Sequence, residues 1–283
     1  MRLWNASVLV TAPDFTAENI IFENSFNLYV CDLEAADSLV DISQSDMPWT
    51  EKERPKKVMP VRPKEVGSTE VQLKKYRERA AAISFTEGAK NAHLKNCRAV
   101  GRQDVLYGDE GASIYWEKGI LQGGVDFIFG GMTMAVDRAT IVANINGEEG
   151  NKCYISAGRS EGRGLLFYKC HIRLATEEEL SAVSHQPSAV SQQVWLARPW
   201  RTWGETVWAY TTWDEGVLNS EGWHTGLIQK RPEFDPANPC PRSYEYKSQD
   251  GSKGRPKWVS VLRKPILPDG TKLTPKTWLK NKE

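Results

Sequence analysis

The chain has 283 residues, with 37 Lys and Arg against 36 Asp and Glu and a net charge of +1. That length fits one large domain or two small ones, and the charge balance gives no electrostatic reason to expect nucleic acid or an anionic membrane as partner. Five cysteines stand far apart, at Cys31, Cys97, Cys153, Cys170 and Cys240, with no C-x-x-C pair and no metal-ligand spacing, so a structural zinc site is not expected. Cys97 and Cys170 lie in apolar, strand-like surroundings and read as buried free thiols.

Taken in chain order, the opening Met1–Asn5 shows neither a basic region nor an apolar run of signal-peptide length. No later stretch of about eighteen apolar residues occurs, so the chain as it stands reads as soluble, with no visible export address. Short β-rich runs follow, separated by Gly, Asn and Asp. They are Asn19–Phe22, His93–Val100, Ile114–Leu121, Met134–Val142, Leu165–Ile172 and Thr206–Trp213, most with apolar residues at alternate positions.

The spacing of the runs says more than the runs do. Asn96–Ala99 and Lys118–Leu121 lie 22 residues apart, and Arg138–Ile141 follows about 20 later. A period in the low twenties built from strands predicts a solenoid, a right-handed parallel β-helix with coils of roughly 20–25 residues. A β-sandwich spaces its strands by only about 8–12 residues. The expected organisation is a single all-β domain over 1–283.

Three segments depart from the pattern. Residues 32–78, densest in charge and proline over Asp46–Gly67, read as a surface excursion between coils. Thr176–Glu179 fits a capping box opening a helical loop to about Gln193. The Pro- and Lys-rich tail over 230–283 is expected to wrap the end of the stack.

Asp104 and Asp126 are separated by 22 residues, the same period. On adjacent coils of a parallel β-helix their backbones would lie about 4.8 Å apart. Two carboxylates so close cannot both ionise freely, which suits one to attack and the other to donate a proton. The eleven Trp and nine Tyr are mostly core by expectation, with a surplus suited to the apolar faces of sugar rings.

Three segments then occur in order: Gln103-Asp-Val-Leu-Tyr107, Gly124-Val-Asp-Phe-Ile-Phe-Gly130 and Leu196-Ala-Arg-Pro-Trp200. They resemble the Gln-Asp-Thr-Leu-Tyr, Gly-Thr-Val-Asp-Phe-Ile-Phe-Gly and Leu-Gly-Arg-Pro-Trp segments of the pectin methylesterases, parallel β-helix enzymes that hydrolyse methyl esters of polygalacturonate. Phe15–Asn24, Glu221-Gly-Trp223 and Tyr244-Glu-Tyr246 are similar to flanking coils of that family. The resemblance implies Asp126 as nucleophile, Asp104 as general acid and base, Gln103 as oxyanion donor and Arg198 as the group holding Asp126 ionised. It implies a cleft lined by 103–107, 126–130 and 198–203, with Trp200, Tyr107 and Phe127 on the substrate. The partner would be pectin, acted on by a monomer outside the cell or in the periplasm, with neither metal nor organic cofactor.

Two departures from the family pattern stand out. A second oxyanion donor, a Gln, usually lies about 16 residues before the Cys corresponding to Cys97, where this chain has Ala81. Losing one such donor costs about 2.7–4 kcal/mol of barrier, and Glu78 and Arg79 are the nearest candidate substitutes. The chain also opens on a segment that the family precedes with further coils, so the first N-terminal coils are expected to be missing.

Rival readings remain open at this level. Gly158-Arg-Ser-Glu-Gly162 fits the G-x-S-x-G pattern of serine esterases, with His171, His185 and His224 as possible bases. That elbow needs a helix after Ser160, whereas Arg163–Ile172 reads as strand and His171 as a surface or satisfied histidine. A pectin-cleaving glycosidase or lyase on the same fold and a non-catalytic pectin-binding relic are the others.

Overall fold

Each predicted run from His93 onward is two strands divided by a sharp corner. The computed structural model describes residues 6–24, 81–101, 103–144, 152–176, 178–179, 193–226 and 228–280. The first coil consists of β1 (Ala6–Val10), β2 (Thr16–Glu18) and β3 (Ile21–Glu23). The second has β4 (Ala81–Phe85), β5 (Ala92–Lys95) and β6 (Arg98–Val100), the third β7 (Leu106–Gly108), β8 (Ser113–Glu117) and β9 (Ile120–Gly123). The fourth has β10 (Val125–Gly130), β11 (Thr133–Asp137) and β12 (Thr140–Ala143), the fifth β13 (Cys153–Gly158), β14 (Leu165–Tyr168) and β15 (His171–Leu174). The sixth has β16 (Val194–Ala197), β17 (Thr206–Ala209) and β18 (Thr212–Trp213), and β19 (Ser243–Tyr246) and β20 (Ser260–Val261) come last.

Like strands of successive coils pair in parallel. The first sheet runs β1-β4-β7-β10-β13-β16, the second β2-β5-β8-β11-β14-β17-β19-β20, and the third β3-β6-β9-β12-β15-β18. These are the three faces of a right-handed parallel β-helix, as the period predicts.

The corner between the second and third sheets explains why the runs look continuous in sequence. One residue bends into the left-handed region in every coil: Asn19, Asn96, Lys118, Arg138, Lys169, Tyr210 and Lys247, with φ between 49° and 59°. The amide of each of the first six still donates to the next coil, Lys169 to Ala209 and Tyr210 to Tyr246 for example, so these residues stack in line. A one-residue bend leaves the apolar alternation nearly intact, which hides it from a reading by periodicity.

Inward side chains form rows along the axis. Leu94, Trp116, Val136, Phe167 and Trp208 follow one another by strand register on the second sheet. The rings of Phe167 and Trp208 stack face to face at 3.8 Å. Ala99, Leu121, Ile141, Ile172 and Trp213 do the same on the third sheet. No coil could bury its inner face alone, so stability here is a property of neighbours. Cys97, Cys153, Cys170 and Cys240 are buried free thiols, and burial pushes Cys170 and Cys240 up to about 12.

The tail departs from expectation. Instead of only closing the end of the stack, it adds β19 and β20 to the second sheet and then runs back along that sheet's outer face. There α1 (Pro275–Trp278), capped by Thr274, places Trp278 in one cluster with Ala135, Leu166 and Val207, its indole donating to the Gly164 carbonyl at 2.9 Å. The reason is the outward row Ala135, Leu166, Val207, Tyr244, an apolar stripe that needs a cover.

The Thr176–Glu179 capping box is present: the Glu179 amide donates to Thr176 Oγ1 at 3.3 Å and the Thr176 amide to Glu179 Oε2 at 3.0 Å. Most of its expected helical loop, and the excursion over 32–78, lie outside the described residues. Three long connections, 25–80, 145–151 and 180–192, all leave the third sheet on the way back to the first.

Candidate active site

The outer face of the first sheet brings the predicted acids together. Gln103 pairs with Val125, and Leu106 with Ile128, so Asp104 and Asp126 occupy equivalent places on adjacent coils. The Asp104 amide donates to the Val125 carbonyl at 3.1 Å, continuing the ladder between them. Both aspartates sit in the left-handed region, at φ 58° and 49°, and both are buried. Non-glycine residues held there cost free energy and cluster where a side chain must be aimed.

Arg198, just past β16, reaches over the sheet to Asp126. Its Nε donates to Oδ1 at 3.1 Å and its Nη2 to Oδ2 at 2.6 Å, a two-pronged grip that fixes the plane of the carboxylate as well as its charge. The guanidinium lies 3.9 Å above the Tyr154 ring. Tyr154 stacks on Trp195 at 5.3 Å, and His224 meets both rings edge-on at 5.3 and 5.8 Å. Burial, aided by Arg198 and Lys152, lowers the His224 pKa, and its Nδ1 accepts from the Gly226 amide at 2.9 Å.

A second aromatic wall stands at the other ends of the same strands. Tyr107 and Phe129 are 4.8 Å apart and Trp200 is 6.0 Å from Phe129. Arg159 donates to the Tyr107 hydroxyl at 3.0 Å and lies 5.4 Å from the Trp200 ring. Burial, reinforced by the hydrogen bond to Asp109, pushes the Tyr107 phenol up to about 12, which keeps it neutral. Gly130 ends β10 at φ 126°, where a Cβ would lie 2.0 Å from the Gly108 carbonyl, so only glycine lets the two coils approach beside this wall.

Gln103, Asp104, Asp126, Arg198, Tyr107 and Trp200 therefore share one face. Phe127 does not: it is fully buried in the core, its place on the wall taken by Phe129. The left-handed backbone of Asp126 and a register shift between Val125 and Ile128 break the alternation, turning Phe127 inward. Ala81, one coil before Asp104 by the Ile83–Leu106 register, packs with Tyr107, Phe129 and Ala157 and offers no amide; Glu78 and Arg79 lie outside the described residues.

Among the described residues the serine site does not form, and His185 lies outside them. Ser160 is buried between β13 and β14, donating to the Arg163 carbonyl at 2.8 Å, and a strand follows it instead of a helix. His171 is engaged elsewhere, with Thr212 at 2.9 Å and Asp214 at 3.0 Å. Among the described residues no cluster of His, Cys, Asp and Glu fits a metal ion.

A protein-family model described as Pectinesterase matches residues 72–231, more than half of the chain. The chain belongs to the pectinesterase family. Probable pectinesterase A of Aspergillus flavus is 28% identical over 154 residues, 53% of this chain and 42% of that protein. Pectinesterase 31 of Arabidopsis thaliana is 30% identical over 147 residues, 50% of this chain and 40% of its own length. The match thus spans less than half of either relative. Among solved structures, a pectin methylesterase in complex with a hexasaccharide superposes with a TM-score of 0.61 at 19% identity, covering 98% of this chain and 73% of that one. At that identity the likeness speaks for the pectinesterase fold, the β-helix described above.

Proposed function

We propose that this member of the pectinesterase family hydrolyses methyl esters of galacturonate in pectin. The observation that carries the reading is the two-pronged Arg198–Asp126 pair one coil above Asp104. An ionised, aligned Asp126 attacks the ester carbonyl, and the oxyanion forms beside the Gln103 amide. Collapse expels methoxide, which takes the Asp104 proton and leaves as methanol. Asp104 then accepts a proton from water as that water attacks the acyl-enzyme, freeing Asp126 and the galacturonate acid. The aromatic wall of Tyr107, Phe129 and Trp200 supplies a face for a neighbouring sugar ring.

With Gln103 as donor and Ala81 in the second position, the described residues supply one side-chain amide at the positions where the family pattern has two. The polymer lies outside the cell, so the proposed place of action is extracellular or periplasmic. No helix among the described residues is long and apolar enough to cross a membrane.

The test is methanol release from highly methylated pectin by the parent chain, Asp126→Ala and Ser160→Ala. Release by the parent and Ser160→Ala, but not by Asp126→Ala, is the expected result. A folded parent that releases none would leave a binding relic, and shortening of the polymer without methanol would point to a glycosidase or lyase.

Tyr154 acts through Arg198 as a positioning residue. Tyr154→Leu is expected to lower kcat about tenfold with little change in KM, the worth of a partly buried cation–π contact, while Tyr154→Phe keeps the ring and the rate. Equal kcat for Leu and Phe would remove Tyr154 from the account.

A further inference from the structure

The corner between the second and third sheets carries residues that its backbone does not favour. Left-handed positions suit Asn and Gly, and the first two coils comply with Asn19 and Asn96, whose side chains bond at 2.6 Å. The next five coils place Lys118, Arg138, Lys169, Tyr210 and Lys247 there, and the four cations are exposed. Stacked coils set them in line, one step of about 4.8 Å per coil.

Arg138 is neutralised, with Asp137 at 2.8 Å and Glu117 at 3.3 Å. Lys118, Lys169 and Lys247 form no ion pair with a described residue. Instead the last two flank tyrosines. The Lys169 ammonium lies 5.3 Å from the Tyr168 ring and 6.0 Å from Tyr210, and that of Lys247 lies 6.0 Å from Tyr210 and 5.7 Å from Tyr246. Tyr168, Tyr210 and Tyr246 follow edge-to-face at 5.5 and 5.1 Å, the first two half-buried. In a three-faced solenoid this edge lies opposite the first sheet and its acid pair.

We propose that this edge binds a linear acidic polysaccharide, de-esterified galacturonan, along the solenoid axis. The identity of the polymer rests on the function proposed above; the charge and aromatic pattern does not. A polyuronate carries one carboxylate per sugar, matching a line of ammoniums that pair with no described acid, and its rings offer apolar faces to Tyr168 and Tyr210. Each ester hydrolysed at the front face creates a charge that the rear edge can hold. A partly de-esterified chain therefore binds better than the fully methylated one.

The experiment measures binding of the full chain carrying Asp126→Ala to polygalacturonate and to fully methylated pectin, with and without Lys169→Glu and Lys247→Glu together. Reversing two exposed charges is expected to weaken polygalacturonate binding roughly tenfold at low salt, and binding of methylated pectin very little. Tyr210→Ala is expected to weaken polygalacturonate binding but not that of poly-glutamate. Unchanged polygalacturonate affinity in a double variant with native circular dichroism would overturn the proposal, and so would poly-glutamate binding as tight as that of the sugar polymer. In a chain that keeps Asp126, Lys169→Glu and Lys247→Glu together should leave methanol release from a short methylated oligomer equal to that of the parent. A parent that releases none defeats the catalytic reading and leaves the binding result to decide the edge by itself.

Discussion

An Arg198→Ala chain is expected to release methanol about 100-fold more slowly than the parent, or worse, with the acid side of its pH–rate profile displaced upward. The pair it breaks is largely shielded, the two side chains being 13% and 11% exposed. Two effects follow from removing the guanidinium. The carboxylate loses the fork that sets its plane, and a small misplacement of an attacking group costs about two orders of magnitude. It also loses the nearby positive charge that favours its ionised form, so it takes up a proton at higher pH and the attacking species disappears sooner on acidification. Arg198→Lys restores charge without the fork and should fall between. Initial rates between about pH 4 and pH 9 for the three chains decide the matter. A kcat for Arg198→Ala within about threefold of the parent would remove Arg198 from the account of how Asp126 is held and ionised.

Glu245→Ala should produce the largest loss of stability, although Glu245 lies far from the acids in sequence. By register it continues the inward row of the second sheet directly after Trp208, where every earlier coil has an apolar side chain. Its carboxylate, fully buried, accepts from the Trp223 indole at 2.7 Å, Ser248 at 2.6 Å, Ser252 at 2.8 Å and Arg255 Nε at 2.6 Å. Arg255 is itself only 2% exposed and reaches on to Asp250 and the Ser220 carbonyl. Thus one acid ties the end of the row to the loop 248–255. Its removal takes the acceptor from the Nε of Arg255, a residue that keeps its Asp250 and Ser220 contacts, and from three other buried donors, a situation that typically costs about 3–5 kcal/mol. The denaturant midpoint should drop accordingly with an unchanged slope. A midpoint within the equivalent of about 1 kcal/mol of the parent would mean that water or a shifted side chain replaces the carboxylate.

The legibility of this protein follows the regularity of its coils. Asp104 and Asp126 were readable because the third and fourth coils differ by 22 residues in the first sheet, the same step that the later sheets show to within two. Beyond that point the first sheet steps by 29 residues from Val125 to Tyr154 and by 41 from Tyr154 to Trp195. Counting by a fixed period therefore could not place Tyr154, Trp195 or His224 beside Arg198. Arg198 itself was found through its motif, not through spacing. Phe127 was misplaced for a backbone reason, since alternation holds only while the strand stays extended, and Asp126 departs from that at φ 49°. The paired strands hidden in each run, and a buried carboxylate in an apolar row, are likewise products of tertiary context that local pattern does not record.

The chain between the third sheet and the first varies widely in length, from Gly124 alone between β9 and β10 to 57 residues between β3 and β4, while the strands it joins keep one register. That variation falls before the starts of first-sheet strands, the ends at which Gln103, Tyr154 and Trp195 stand. The opposite ends, with Tyr107 and Phe129, are joined to the second sheet by turns as short as Gly131–Met132. Divergence among descendants of this scaffold can change the number of residues before these strand starts while the register that holds the two acids in step stays untouched. For protein engineering the same asymmetry names the place to graft a new recognition loop, and the place to leave alone.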